Sequence, residues 1–396
     1  MKKKQTLFLS LIGILIIGVV ILIIILLNNG KKDPIKGNNN EYKNTAFEYN
    51  IIKKANIENN FMISPLSIGY SLNVLKEGAD GKTLEELDNL LNNYDIKNIN
   101  NVDNVISLSN ALFINDNSKD NVKDSYVKLV KNKYNADINY DDFTSPYNIN
   151  NYVKEKTFDM IPKALDNIDP STLLAIINTI AIDVEWNKPF EKENNFDDTF
   201  KALENDIKVT YMNGHNDVKY IENGYSKGII KEYKSYNGNE LEYIAIMPNG
   251  NLKEYINKFD ENEFKNLLNS AKEPSRNLSI NVSIPKYSFD YGFDNLKSSL
   301  IDLGIGSSFD ELSANFSKIG NDIYVDDIIH KTHIDFLESG TKAAAATIIT
   351  MKDNAIIPMD KDEINIVFNK PFMFIIKDKN SENIMFFGTV YNPNEK

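Results

Sequence analysis

Residues 7–27 are apolar or small without interruption and are preceded by Lys2, Lys3 and Lys4, with Gln5 and Thr6 between. An amphipathic element of a globular core would carry polar positions, and this run carries no charge. About 20 such residues are what a helix needs to cross the hydrocarbon layer of a membrane. Residues 1–30 are therefore expected to form a signal-anchor, with the three lysines cytoplasmic and the rest of the chain outside the cell. Lys31 and Lys32, beyond the run, oppose that orientation without reversing it. The alternative is a cleaved signal peptide and a secreted product. Its apolar part usually spans only 7–15 residues and ends at small side chains, whereas Leu26-Leu27-Asn28-Asn29-Gly30 offers no such site. Residues 31–40, of Gly, Lys, Pro and Asn, read as a linker. The folded body is thereby confined to residues 41–396.

That body is long enough for one large domain with an ample core. A net charge of −12 excludes nucleic acid as a partner and gives no polybasic surface for peripheral membrane attachment. There is no Cys, so disulfides, thiolate nucleophiles and thiolate metal sites are excluded. The three His, at 215, 330 and 333, leave little for acid–base or metal chemistry. Residues 323–336 read as a strand, which puts His330 and His333 on opposite faces, unable to share a metal. No HExxH, GxSxG, GxGxxG or Walker-type run occurs. No catalytic group, no metal and no cofactor is expected.

Local patterns give a coarse outline. Residues 47–56 and 69–77 read as helices, and Thr83 with Glu86 as a capping box opening another. Residues 109–114 and 243–248 have strand character. Residues 173–182 form an apolar run broken at Asn178 and Thr179, read as a buried strand.

Motifs in a fixed order sharpen this outline. Ser64-Pro65-Leu66-Ser67-Ile68 is followed by Gly78-Ala79-Asp80-Gly81-Lys82-Thr83, and Ile149-Asn150-Asn151-Tyr152-Val153 by Thr157. Asn178, Trp186, Pro189 and Phe190 come next, then Pro285-Lys286-Tyr287 within residues 280–289. Phe368-Asn369-Lys370-Pro371-Phe372 and Phe386-Phe387-Gly388-Thr389-Val390-Tyr391-Asn392-Pro393 close the series. In this order, over residues 41–394, the chain resembles the serpin family of serine protease inhibitors. The resemblance implies an α+β serpin fold of about nine helices and three β-sheets with an exposed reactive loop. It also implies that residues 280–289 are two paired strands of the second sheet.

The resemblance assigns roles as well. Ser64, Ser67, Asn178 and His330 match the polar cluster under the main sheet where its central strands part. Trp186 matches the residue at the top of that sheet where the loop enters. Glu338-Ser339-Gly340-Thr341-Lys342-Ala343-Ala344-Ala345-Ala346-Thr347 matches the loop's hinge, although four Ala in a row would suit a surface helix on propensity alone. Small side chains at Ala343 to Ala346 suit a segment that must slide between paired strands. Two residues depart from the family pattern: Ser339 and Lys342 each stand where Glu is usual. With Thr341 facing inward, Lys342 would face outward after insertion, by the alternation of a strand.

The implied activity is suicide inhibition of a serine protease, captured as a covalent complex with a monomeric, membrane-tethered inhibitor. The alternative is a non-inhibitory binding module whose loop is an ordinary substrate. The loop is longer than is common in the family, so three bonds compete for the cut: Asn354–Ala355 at the usual distance from the hinge, Lys352–Asp353, and Met359–Asp360. An inserted strand of ~16 residues spans about 50 Å, and five spare residues would slacken the tether by roughly 15 Å. This ranks Asn354 first, Lys352 second and Met359 third.

Overall fold

The computed structural model describes residues 46–395, apart from 93, 95, 97, 98, 118, 327, 342–361 and 382. The expected anchor, the linker, Ala343 to Thr347 and all three candidate bonds lie outside the described residues. No helix among the described residues is long and apolar enough to cross a membrane.

Eight α-helices are described: α1 Ala46–Ala55, α2 Pro65–Gly78, α3 Gly81–Leu91, α4 Asp124–Tyr134, α5 Tyr147–Lys156, α6 Leu252–Lys258, α7 Glu261–Asn269 and α8 Leu296–Asp302. The strands are β1 Phe61–Ile63, β2 Ile106–Asn115, β3 Asp137–Asp141, β4 Leu174–Ile182, β5 Val184–Glu185, β6 Phe196–Lys201, β7 Asp206–His215, β8 Lys219–Glu222 and β9 Ser226–Glu232. They continue with β10 Leu241–Pro248, β11 Leu278–Pro285, β12 Tyr287–Gly292, β13 Lys331–Phe336, β14 Gly340–Thr341, β15 Asp362–Val367, β16 Phe372–Asp378 and β17 Ile384–Val390.

The core is built on a six-stranded sheet in the order β1-β17-β16-β10-β9-β8. Strands β10, β16 and β17 are buried along their whole length, which is why their sequences are almost continuously apolar. The Phe374 ring of β16 and the Phe61 carbonyl of β1 leave no room at Gly388, where a Cβ would stand 2.3 Å from Phe374 Cζ and 2.7 Å from Phe61 O. Helix α2 packs against β17 and β4. Its start is set by Ser64, whose Oγ accepts from Ser67 N at 3.1 Å, and by Pro65 at the first helical position.

A second sheet runs β15-β11-β7-β6. The third region is not one sheet. Its described strands form two ladders, β3-β2-β4 and β12-β13-β14-β5, within the expected α+β serpin fold. β4 pairs with β2 from Ile106↔Ile182 to Ile114↔Leu174, and no ladder joins β4 to β13. Residues 174–178 are accordingly half-exposed, which corrects the reading of a fully buried strand.

Three other expectations are corrected. β11 and β12, within residues 280–289, do not pair with each other: β11 joins β7 and β15, while β12 joins β13. The chain changes sheets at Pro285-Lys286, where proline removes a ladder donor. Residues 323–326 and 328–330 are not strand, because β12 is used up at Gly292↔Lys331 and β4 offers no pairing on the other side. Thr83 and Glu86 make no capping box. Helix α3 begins two residues earlier, and the pair instead fastens a distant segment: Thr83 Oγ1 accepts from Asn315 N, and Glu86 accepts from Ser307 N and Oγ.

Candidate functional site

The break between β4 and β13 is bridged at one end only. There, β14 lies antiparallel to both flanks, with Thr341 opposite Phe336 of β13, and Gly340 and Thr341 opposite Glu185 and Val184 of β5. A tight turn, Leu337 N to Gly340 O at 3.0 Å, brings the chain back beside β13. Gly340 is required by close approach, since a Cβ there would stand 2.0 Å from Val184 O. Thr341 is buried and its hydroxyl lies 2.6 Å from that of Tyr233.

Glu338 fixes the turn from outside. Its carboxylate accepts from Asn195 and, at 3.0 Å, from Lys286, while its carbonyl accepts from Phe190 N. Burial alone would raise this carboxyl; its hydrogen bonds and the Lys286 charge outweigh that and hold it below the usual range. Ser339, the departure from Glu, contributes its carbonyl to Trp186 N at 2.9 Å.

Trp186 is fully buried behind the turn, and its Nε1 donates to Leu337 O at 2.9 Å. Its ring stacks on Tyr233 with centroids 4.2 Å apart and meets Phe336 edge-on at 5.5 Å. Lys231 lies beneath, with its Nζ 4.2 Å from the Phe190 ring centroid and 2.6 Å from Asp217. Burial pulls the Lys231 ammonium below its usual value, and Asp217 opposes the fall.

Below Thr341 the unpaired edges line a narrow, partly open cleft. Ile180, Ala181 and Ile182 of β4 form one wall, His333, Ile334 and Asp335 of β13 the other. Met62, Ile376 and Phe386 also line it, as do Thr157, Met160 and Ile161 from the end of α5 and just beyond.

Four of the sequence-selected residues meet in one chain of hydrogen bonds. His330 Nε2 accepts from Ser64 N at 2.9 Å, and Ser64 Oγ accepts from Ser67 N. Ser67 Oγ donates to Asn178 Oδ1, and Asn178 Nδ2 donates to Asn110 Oδ1. His330 and Asn178, on opposite sides of the break, are thus connected through α2. Burial pushes the His330 imidazole down to about 4, so the ring is neutral and Nε2 is free to accept. Trp186 stands apart from this chain, at the bridged end.

Sequence reading missed Asn110, Tyr233, Lys231 and Asp217. Asn110 had a signal, being polar on the otherwise apolar parity of β2 with Ile106, Leu108, Leu112 and Ile114. Tyr233 and Lys231 had none, because their roles depend on the stack around Trp186.

The described strands thus leave β4 and β13 unjoined except where β14 bridges them at one end. The chain belongs to the serpin (serine protease inhibitor) family, whose model matches residues 42–393. An uncharacterized serpin-like protein of Methanosarcina mazei is 29% identical over 400 residues, covering 93% of this chain and 91% of that protein. The leukocyte elastase inhibitor of Xenopus tropicalis is 28% identical over 382 residues, 88% of this chain and 98% of its own. The thermophilic serpin tengpin in its native state superposes with a TM-score of 0.73 at 30% identity, over 87% of this chain and 92% of that one.

Proposed function

We propose that this chain inhibits a serine protease by a suicide mechanism in which the cleaved loop enters the slot between β4 and β13. The carrying observation is the seat of Gly340 and Thr341, bonded on both sides above two unpaired edges. The protease serine attacks the loop as substrate and forms an acyl-enzyme. The hinge then gains ladder bonds to both walls and drags the enzyme away before water completes hydrolysis.

The register of β14 supports this reading residue by residue. Each step forward along the loop is one step back along both walls, counted from Thr341 opposite Phe336 and Val184. Lys342 would then lie between Asp335 and Asp183, so this departure from Glu meets two carboxylates instead of a steric or electrostatic obstacle. Ala343 would face inward between Ile334 and Ile182, and Ala345 between Thr332 and Ile180. Thr347 would arrive between His330 and Asn178, where its hydroxyl can exchange into the polar chain described above. Ser64, Ser67, Asn178 and His330 thereby form the sheet-opening cluster, and Trp186 backs the point of entry.

The cleaved bond proposed is Asn354–Ala355, ahead of Lys352–Asp353 and Met359–Asp360. We further infer that residues 7–27 tether the domain outside the cell; extraction of the chain from membranes by alkaline carbonate would contradict that placement. The test of inhibition is incubation of the chain with trypsin-, elastase- and subtilisin-like proteases. A complex that survives denaturing electrophoresis, releasing a peptide beginning at Ala355, is expected. Clean cleavage without complex across the panel favours the non-inhibitory alternative. Ala345→Arg places an unpaired charge where the hinge must bury on insertion, costing on the order of 3–5 kcal/mol, and should turn inhibitor into substrate.

A further inference from the structure

One face of β12 and β13 carries Ser288 and Asp290 on the first strand and His333 and Asp335 on the second. Asp290 is directly opposite His333, and Ser288 directly opposite Asp335. His333 Nδ1 lies 2.7 Å from Asp290 Oδ1, and its Nε2 lies 3.0 Å from Asp335 Oδ2. Ser288 Oγ donates to the other oxygen of Asp335.

A carboxylate only accepts, so two carboxylates on the two ring nitrogens require both nitrogens to carry hydrogen. Asp290 is mostly exposed. The geometry is therefore that of an imidazolium held between two anions. Loss of the proton turns one ring nitrogen's lone pair toward a carboxylate, and leaves Asp290 and Asp335 facing a neutral ring. His333 and Asp335 also line the slot, so this contact belongs to the wall along which the hinge would run.

We propose that His333 is a pH-operated clamp that fastens β12 to β13 while charged, and loosens that wall of the slot when it loses its proton. The charged groups around it are few. Asp290 faces it from β12 and Asp335 from β13, and Lys331, one turn of the pleat away, is turned to Asp294 at 3.7 Å. Thr157, Met160 and Ile161, which cover the cleft, are uncharged, as are Ile180, Ala181 and Ile182 across it. Beyond them Lys163 pairs with Asp166.

The bond to Asp335 raises the imidazole above its ordinary value; burial opposes this and Asp290 reinforces it. A histidine raised on folding contributes stability that is complete below its unfolded value, about 6.5, and is lost as pH rises through the folded value. His330, three residues away, is shifted in the opposite sense. The wall is thus tightest between the two transitions.

The test uses the full chain labelled with 13C at histidine Cε1, the three signals being assigned with His333→Gln. His333 should titrate above pH ~6.5, and Asp290→Asn should lower its midpoint by about one unit. Denaturant unfolding from about pH 6 to 9 should show the chain losing stability that His333→Gln does not lose. Glu48, buried and pushed up to about 8, contributes to the same window in both proteins, so the difference between them is read. A His333 signal titrating at or below pH ~6.5, or identical pH profiles for the chain and His333→Gln, overturns the clamp. Its consequence for loop entry rests on the inhibitory reading, whereas these measurements involve no protease and fail separately from it.

Discussion

The ladder of β10, β16 and β17 and the strand β4 are built from similar apolar runs, yet only the first is closed. β10 is bonded along its length to β9 on one side and β16 on the other. β4 is bonded to β2 alone, and half of it is left partly exposed. The closed ladder has spent its pairing capacity on itself; the open one retains donors, acceptors and apolar surface for one more strand. Strand composition therefore says how much a segment can bury, while the neighbours' topology decides whether it does.

The comparison breaks most visibly at Phe374, fully buried in the closed ladder between Tyr243 and Tyr287. Phe374→Ala should cost about 3–5 kcal/mol in denaturant unfolding, with hinge seating, read from Trp186 fluorescence, unchanged at low denaturant. In the open region the largest effect comes from pH. His330 is depressed on folding, so its contribution is complete above the unfolded value of about 6.5 and lost as pH falls through the folded value of about 4. Unfolding measured across that interval should lose about 3 kcal/mol, and His330→Asn should flatten the loss.

A smaller effect is expected at the bridged end. Gly340→Ala forces a methyl against Val184 O and should cost roughly 1–3 kcal/mol, seen as displacement of the hinge from Trp186. The smallest is Lys286→Met. Its pair with Glu338 is partly exposed, so global stability should change by about 1 kcal/mol or less, while proteolysis near the hinge quickens.

Much of the closed region was legible in the sequence. Phe386-Phe387-Gly388 and Phe368-Asn369-Lys370-Pro371-Phe372 carry family-specific patterns, and β16 and β17, buried along their length, form where these motifs lead. What failed were statements about pairing. Residues 280–289 have strand propensity on both sides of Pro285-Lys286, and nothing local reveals that the two halves enter different sheets. Residues 323–326 and 328–330 have enough apolar character for a strand and lack only partners. Thr83 and Glu86 have capping-box spacing, yet Ser307 and Asn315, more than two hundred residues away, claim their oxygens. At the site, Ser64, Ser67, Asn178 and His330 stand at fixed motif positions and meet in one hydrogen-bond chain, whereas the cross-strand His333 contacts depend on register. Asp290 and His333 become neighbours only once β12 and β13 align.

The central claim is that the slot between β4 and β13 takes the loop. Hydrogen exchange of the intact chain and of the chain nicked within residues 342–361 tests it without knowledge of the target protease. The account predicts that nicking slows exchange across β4 and β13 while leaving β10, β16 and β17 unchanged. Equal exchange at β4 and β13 before and after the nick would contradict it.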